Sequence, residues 1–216
     1  MEKIAKGDET QIIRQLLASI EENSSVSQRQ LSDDLDIALG SVNWYLKRCV
    51  KKGFIKIKQV PLRRYAYYLT PQGFEEKSRL TAQYLKWSLE FFRKGREHSV
   101  KVLSDCERDG IQNLILAGDS DLAEIFLLSS AEFLVKIQAI YDPQNESRSR
   151  LKTPIYQNLE DVKNLYSEAD NFKFVLTDLT HPKKMLDNLL SIGWKQEDIY
   201  IPEFLGLKVV KSGASK

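Results

Sequence analysis

Apolar residues recur at helical spacing near the start of the chain: Ile12, Ile13, Leu16, Leu17 and Ile20 predict an amphipathic helix over residues 8–22. Ser27-Gln28-Arg29-Gln30 has the form of a capping box, its first hydroxyl placed for an orphan amide, and opens a short helix that runs to Leu35. After the turn Asp36-Ile37-Ala38, a third helix is expected from about Leu39 to Lys52, with Leu39, Val42, Leu46 and Val50 inward and Gly53 as its stop. Two helices joined by a turn of a few residues form a helix-turn-helix. The period then changes. Residues 54–60 alternate apolar and polar, Pro61-Leu62-Arg63-Arg64 turns, and residues 65–69 return, which predicts a hairpin, or wing.

Thr70-Pro71 suits a helix start, and residues 72–99 hold no proline and only Gly73 and Gly95. Within them Leu80, Tyr84, Trp87 and Phe91 are spaced 4, 3 and 4, an a/d seam that Leu85, Leu89 and Phe92 widen. So long a helix exceeds what one small domain needs, so the seam is expected to join two copies of the chain; the alternative is packing within one copy. From Asn113 the pattern alternates strand and helix, with strands at 113–117, 134–141, 154–156, 172–177 and 199–201 and helices at 121–130, from 158, and at 182–191. That alternation means a parallel sheet with helices on its faces.

Composition changes this picture only when it is divided. The 216 residues carry a net charge of +2, but residues 1–100 contribute +6 and residues 101–216 contribute −4. Between Asp36 and Glu75 there is no acidic residue, while Lys47, Arg48, Lys51, Lys52, Lys56, Lys58, Arg63 and Arg64 all fall there. Solubility favours mixed signs, so one surface is read as facing an anion. On the solvent face of the third helix, Asn43 is the candidate for an adenine edge and Arg48 for guanine, while Ser41, Lys47 and Lys51 suit phosphates. Trp44 either packs on the domain or meets a sugar or thymine methyl, and Arg63 and Arg64 tip the wing for backbone or minor groove.

Four segments, Ser27-Gln28-Arg29-Gln30-Leu31, Gly40-Ser41-Val42-Asn43-Trp44-Tyr45-Leu46-Lys47, Lys52-Gly53-Phe54-Ile55-Lys56 and Leu69-Thr70-Pro71-Gln72-Gly73, resemble the winged-helix domain of MarR-type regulators. The nearest resemblance is to the branch associated with exopolysaccharide (EPS) gene clusters, over about residues 8–95. It implies a transcriptional regulator that binds double-stranded DNA.

In open parallel sheets ligands bind at the carboxyl ends of the strands, above all at the first turn. Here that turn reads Gly118-x-Ser120-x-x-Ala123, keeping the first glycine of GxGxxG, and Asp142 ends the second strand where an acid would hold a ribose diol. The candidate ligand site is therefore Gly118, Asp119, Ser120 and Asp142, under a loop carrying Arg148, Arg150 and Lys152. Leu114-Ile115-Leu116-Ala117-Gly118, Ile140-Tyr141-Asp142-Pro143, Thr153-Pro154-Ile155 and the stretch from Pro182 to Pro202 resemble the Rossmann-like, CoA-binding-type domain of CapD-like dehydratases and, more loosely, the sensor half of Rex-type repressors. The resemblance implies a nucleotide, NAD or a nucleotide sugar, as effector, or a ligand-free contact domain.

The expected architecture is thus an α+β winged helix (1–71), a long dimerisation helix (72–110), an α/β Rossmann-like domain with a parallel sheet (111–206) and a tail (207–216). No tyrosine has lysine four residues on, and no CxxC, HExxH or Walker A spacing occurs, so neither catalysis nor a metal is expected. His181 before Pro182 reads as a helix cap rather than an acid/base partner of Asp178. Cys49 and Cys106 read as idle thiols. With no apolar run of about 18–20 residues and no leader, a cytoplasmic, homodimeric regulator is expected; the rival is a degenerate nucleotide-sugar enzyme fused to a DNA-binding module.

Overall fold

The computed structural model of the chain describes residues 2–60, 64–165 and 172–207. They divide into two compact units, with the boundary between Leu89 and Glu90.

In the first unit, α1 (Glu2–Glu22), α2 (Gln28–Leu35) and α3 (Leu39–Lys51) precede a hairpin of β1 (Ile55–Val60) and β2 (Arg64–Leu69). The Ser27 hydroxyl accepts the Gln30 N–H at 3.1 Å, capping α2, and Asp36 closes it in the left-handed region. The core gathers Leu16, Leu17 and Ile20 of α1, Leu31 of α2, and Val42, Leu46 and Cys49 of α3. The inward stripe of α3 is corrected here. Leu39 and Val50 are exposed, because the 4 and 3 spacing that starts at Val42 continues to Cys49 and turns its neighbours outward. The hairpin is antiparallel, with Ile57 opposite Tyr67. The turn at Pro61, Leu62 and Arg63 lies outside the described residues, as does the side chain of Arg64, and so does the tail from 208.

Thr70 ties the wing to the next helix. Its hydroxyl donates to the Gly53 carbonyl at 2.5 Å and accepts the Gly73 N–H at 3.0 Å, capping α4 (Pro71–Arg108). Gly73 is required there: a Cβ would lie 2.1 Å from the Phe54 carbonyl oxygen. Helix α4 continues without a break across the unit boundary.

The second unit is built on a six-stranded sheet. Its strands are β3 (Asn113–Ala117), β4 (Lys136–Tyr141), β5 (Ser149–Arg150), β6 (Thr153–Tyr156), β7 (Phe172–Leu176) and β8 (Ile199–Tyr200), in the order β5-β6-β4-β3-β7-β8. All neighbours are parallel except β5 and β6. Strand β3, at the centre, alternates: Leu114 and Leu116 join one core with Leu103 of α4 and Phe126 of α5 (Asp121–Ser130). Ile115 and Ala117 join the opposite core, with Val162 of α6 (Leu159–Leu165) and Leu189 of α7 (Pro182–Ser191). A strand buried on both faces is the signature of a parallel sheet covered on both sides.

Two expectations differ. Strand β4 starts at Lys136 rather than Leu134, which is 88% exposed, because Phe133 still belongs to the turn that ends α5. The stretch read as a polar loop forms a small hairpin, β5 to β6, whose turn puts Leu151 and Lys152 at φ 46° and 70°. A two-residue turn with two positive φ values is normally flagged by Asn-Gly or Gly-Gly, and neither residue here gives that signal.

Gly118 and Gly110 both have positive φ, but only Gly118 lacks room: its Cβ would lie 2.5 Å from the Asp178 backbone, whereas Gly110 has nothing within 4 Å. Gly118→Ala is expected to lose on the order of 3 kcal/mol, backbone strain and overpacking together, and Gly110→Ala only about 1 kcal/mol, from strain alone. Urea unfolding of the two variants followed by circular dichroism checks this; equal losses would contradict the close approach.

Candidate nucleic-acid interface

Helix α3 presents Ser41, Trp44, Lys47 and Lys51 to solvent, with Asn43 and Arg48 half-buried at its edges. Among the described residues Lys47 and Lys51 make no ion pair, and the Asn43 amide has no hydrogen-bond partner. Strand β1 adds Lys56 and Lys58, both exposed and on one face of the hairpin, with Tyr68 opposite Lys56. Like Lys47 and Lys51, these two wing lysines make no ion pair among the described residues. Their i, i+2 spacing on a strand was the available signal.

Arg48 is placed differently from the guanine reader expected. Its guanidinium is ion-paired with Glu9 of α1 and sits 5.0 Å over the Trp44 ring. The pair is partly exposed on both sides, so it holds the side chain only weakly. Trp44 remains 53% exposed, its ring edge-to-face with Tyr45 at 4.9 Å, so it lies on the surface and not in the core. Beneath this face, burial pushes the Cys49 thiol up to about 11, and burial likewise raises Cys106, so neither is a thiolate near neutral pH.

In the second unit the groups expected to hold a ligand hold one another. The Asp142 carboxylate accepts the Asp119 N–H at 2.9 Å and the Gln144 N–H at 3.0 Å. Ser120 donates to the Thr177 carbonyl at 2.6 Å and accepts the N–H groups of Leu122 and Ala123, capping α5. The Asp119 side chain, 6% exposed, is ion-paired with Arg150, which also bonds Glu124 at 2.6 Å. Arg150 therefore neutralises the acidic turn instead of closing on a phosphate. Hydrogen bonding to Asp119 raises its already high pKa.

His181 occupies the N-cap position of α7, but its side chain caps nothing. Asp178 Oδ1 accepts the N–H groups of Thr180 and His181 at 2.8 Å each, closing the turn that precedes α7. Among the described residues the acid and the imidazole share no bond.

Along α4, Leu80 lies in the first unit's core and Phe91 packs on the second unit's core, edge-on to Phe204 at 6.4 Å. Tyr84 lies under the Arg14 guanidinium at 4.4 Å. Of the four residues expected in the seam, Leu80 and Phe91 thus face inward, and only Trp87 is exposed without such a partner. No helix of the described residues is long and apolar enough to cross a membrane.

Residues 9–56 match a family model described as winged helix-turn-helix DNA-binding. No curated protein matches the chain. Among solved structures, the transcription regulator MepR of Staphylococcus aureus, associated with the multidrug efflux pump MepA, matches at 17% identity and a TM-score of 0.33, covering 39% of this chain and 61% of that one. A MepR mutant matches at 16% identity and a TM-score of 0.34 over the same shares. A structure described as PigF with SAH matches at 13% identity and a TM-score of 0.24, covering 81% of this chain and 58% of that one. The match to the DNA-binding family model falls on α1, α2, α3 and the first residues of the wing, and the chain carries a winged helix-turn-helix DNA-binding domain followed by an α/β unit with a mostly parallel sheet.

Proposed function

We propose that this chain is a dimeric transcriptional regulator whose winged helix reads a two-fold operator while its α/β unit acts as a Rossmann-like effector or contact domain without catalysis. The observation that carries the reading is four exposed lysines without ion pairs among the described residues, Lys47, Lys51, Lys56 and Lys58, on the helix and wing that enter or flank a major groove in this fold. The strand order, with β3 central, β4 and β6 on one side and β7 and β8 on the other, supports a Rossmann-like unit. Control of polysaccharide genes follows only from the resemblance of the DNA-binding domain to the EPS-associated branch.

Dimerisation is best served by a different stripe of α4. Leu85 and Leu89, four residues apart, are 54% and 55% exposed, and Ser78 and Ala82 extend the same row with small residues. Large apolar side chains at a/d spacing and open to water mark an association surface. A second copy fits it, because a winged helix gains operator affinity from two half-sites about 34 Å apart.

Each lost phosphate contact removes about 0.9 from the log–log slope of DNA affinity against salt, so Lys47→Ala with Lys51→Ala should flatten it by about 1.8. Fluorescence anisotropy with a labelled duplex over a salt series measures this, and an unchanged slope puts the helix off the DNA. Asn43→Ala should instead relax base preference; uniform weakening over all sequences would make it a positioning residue. Leu85→Glu with Leu89→Glu should give a monomer in analytical ultracentrifugation, with operator affinity falling as one half-site is lost. A variant that stays dimeric assigns the interface elsewhere.

A further inference from the structure

Along the exposed face of α3 run Gly40, Trp44, Lys47 and Lys51, spaced 4, 3 and 4, so the four residues share one stripe. The two lysines make no ion pair among the described residues. The other two are not explained by the protein's own packing. Trp44 leaves 53% of its surface in water. A Cβ on Gly40 would meet nothing within 4 Å, and its φ is not positive, so neither packing nor backbone conformation calls for glycine there. Glycine weakens a helix, and one that the fold does not need points to a close approach from outside.

The indole is nevertheless held in place. Its ring lies edge-on to Tyr45 at 4.9 Å, and Tyr45 packs against the core of the winged helix. The Arg48 guanidinium sits over the ring, 5.0 Å from its centroid. A ring supported on two sides has little side-chain freedom left to lose when a ligand meets the rest of its surface. Trp44 also lies in the first half of α3, the part of a recognition helix that contacts base edges, with Lys47 and Lys51 behind it for phosphates.

What the indole can read follows from its chemistry. It offers an apolar ring, one N–H donor and no acceptor, and that N–H has no partner among the described residues. In the major groove thymine shows an acceptor, O4, beside an apolar C5-methyl. Cytosine shows a donor there, adenine an acceptor and a donor, and guanine two acceptors without a methyl. Thymine is the base that matches both the ring and the N–H. Helix α3 holds no carboxylate, the group that accepts from cytosine, so it does not favour that base instead.

We propose that Trp44 is a thymine-reading residue, its indole taking the C5-methyl while Gly40, one turn earlier on the same face, leaves the space through which the base edge approaches. The inference rests on the DNA-binding reading above and gives that reading a base.

Duplexes selected by the full chain from a random-sequence library, remade with deoxyuridine in place of one thymine at a time, test it by fluorescence anisotropy. Deoxyuridine pairs as thymine does but lacks the methyl. At one thymine of each half-site the replacement should weaken wild-type binding about fourfold, the worth of one buried methyl group. Trp44→Ala should bind the thymine and deoxyuridine duplexes equally. Gly40→Leu should unfold at no lower a temperature than the wild type, because leucine is the better helix former and meets open space, yet lose the same discrimination. Wild-type binding insensitive to every deoxyuridine would overturn the inference, as would a methyl effect that survives in Trp44→Ala. Discrimination that survives in Gly40→Leu would overturn the part given to Gly40. Duplex binding without any preferred sequence would overturn the inference alone, whereas a chain that binds no duplex at any salt concentration would overturn the DNA-binding reading with it.

Discussion

Helix α4 is buried twice, and the two units depend on it. Leu80 closes the core of the winged helix, and Val102, Leu103 and Cys106, later on the same helix, sit in a core of the α/β unit. Within each unit the helix backbone approaches a neighbour closely. The two glycines within it stand at those approaches: Gly73 against the Phe54 carbonyl, and Gly95 where a Cβ would meet Ile125 at 2.9 Å. A glycine inside a helix costs about 1 kcal/mol relative to alanine, a cost that close packing offsets here. Between the two buried ends the helix keeps its exposed apolar stripe, which neither core takes up.

The two units treat charge in opposite ways. On α3 and the wing the lysines stand apart and unpaired, and the one arginine of α3, Arg48, is drawn to Glu9 of α1 and to Trp44. A rigid helix face with free ammonium groups around it is what a polyanion requires, since its counterions are released only if the cations are not already neutralised. In the α/β unit the first turn of the sheet is neutralised from within, Arg150 pairing with Asp119 and Glu124 and Asp142 accepting the Asp119 amide.

Much of this was legible in local sequence. The capping serine of α2, the helix spacing of α1 and α3, the alternation of the wing and the strand–helix alternation beyond residue 112 each depend on contacts within a few positions, so the order of elements could be read directly. The cationic interval between Asp36 and Glu75 was legible too, because it is composition along the chain. The turn at Leu151 and Lys152 was not, since neither residue carries the usual mark of positive φ and pairing with β6 imposes it.

What only the tertiary structure decided is which of the groups so found are free. Asp142, Asp119 and Arg150 have the residue types of a nucleotide site, and Leu80, Tyr84, Trp87 and Phe91 have the spacing of a seam. Sequence cannot say that Arg150 reaches Asp119 across 31 positions, or that Leu80 and Phe91 are taken up by different cores. The sequence determined the elements and their chemistry because periodicity and capping are local. The fold decided availability because hydrogen bonds and burial are pairings between distant segments, and a group already paired offers little to a ligand or a second chain.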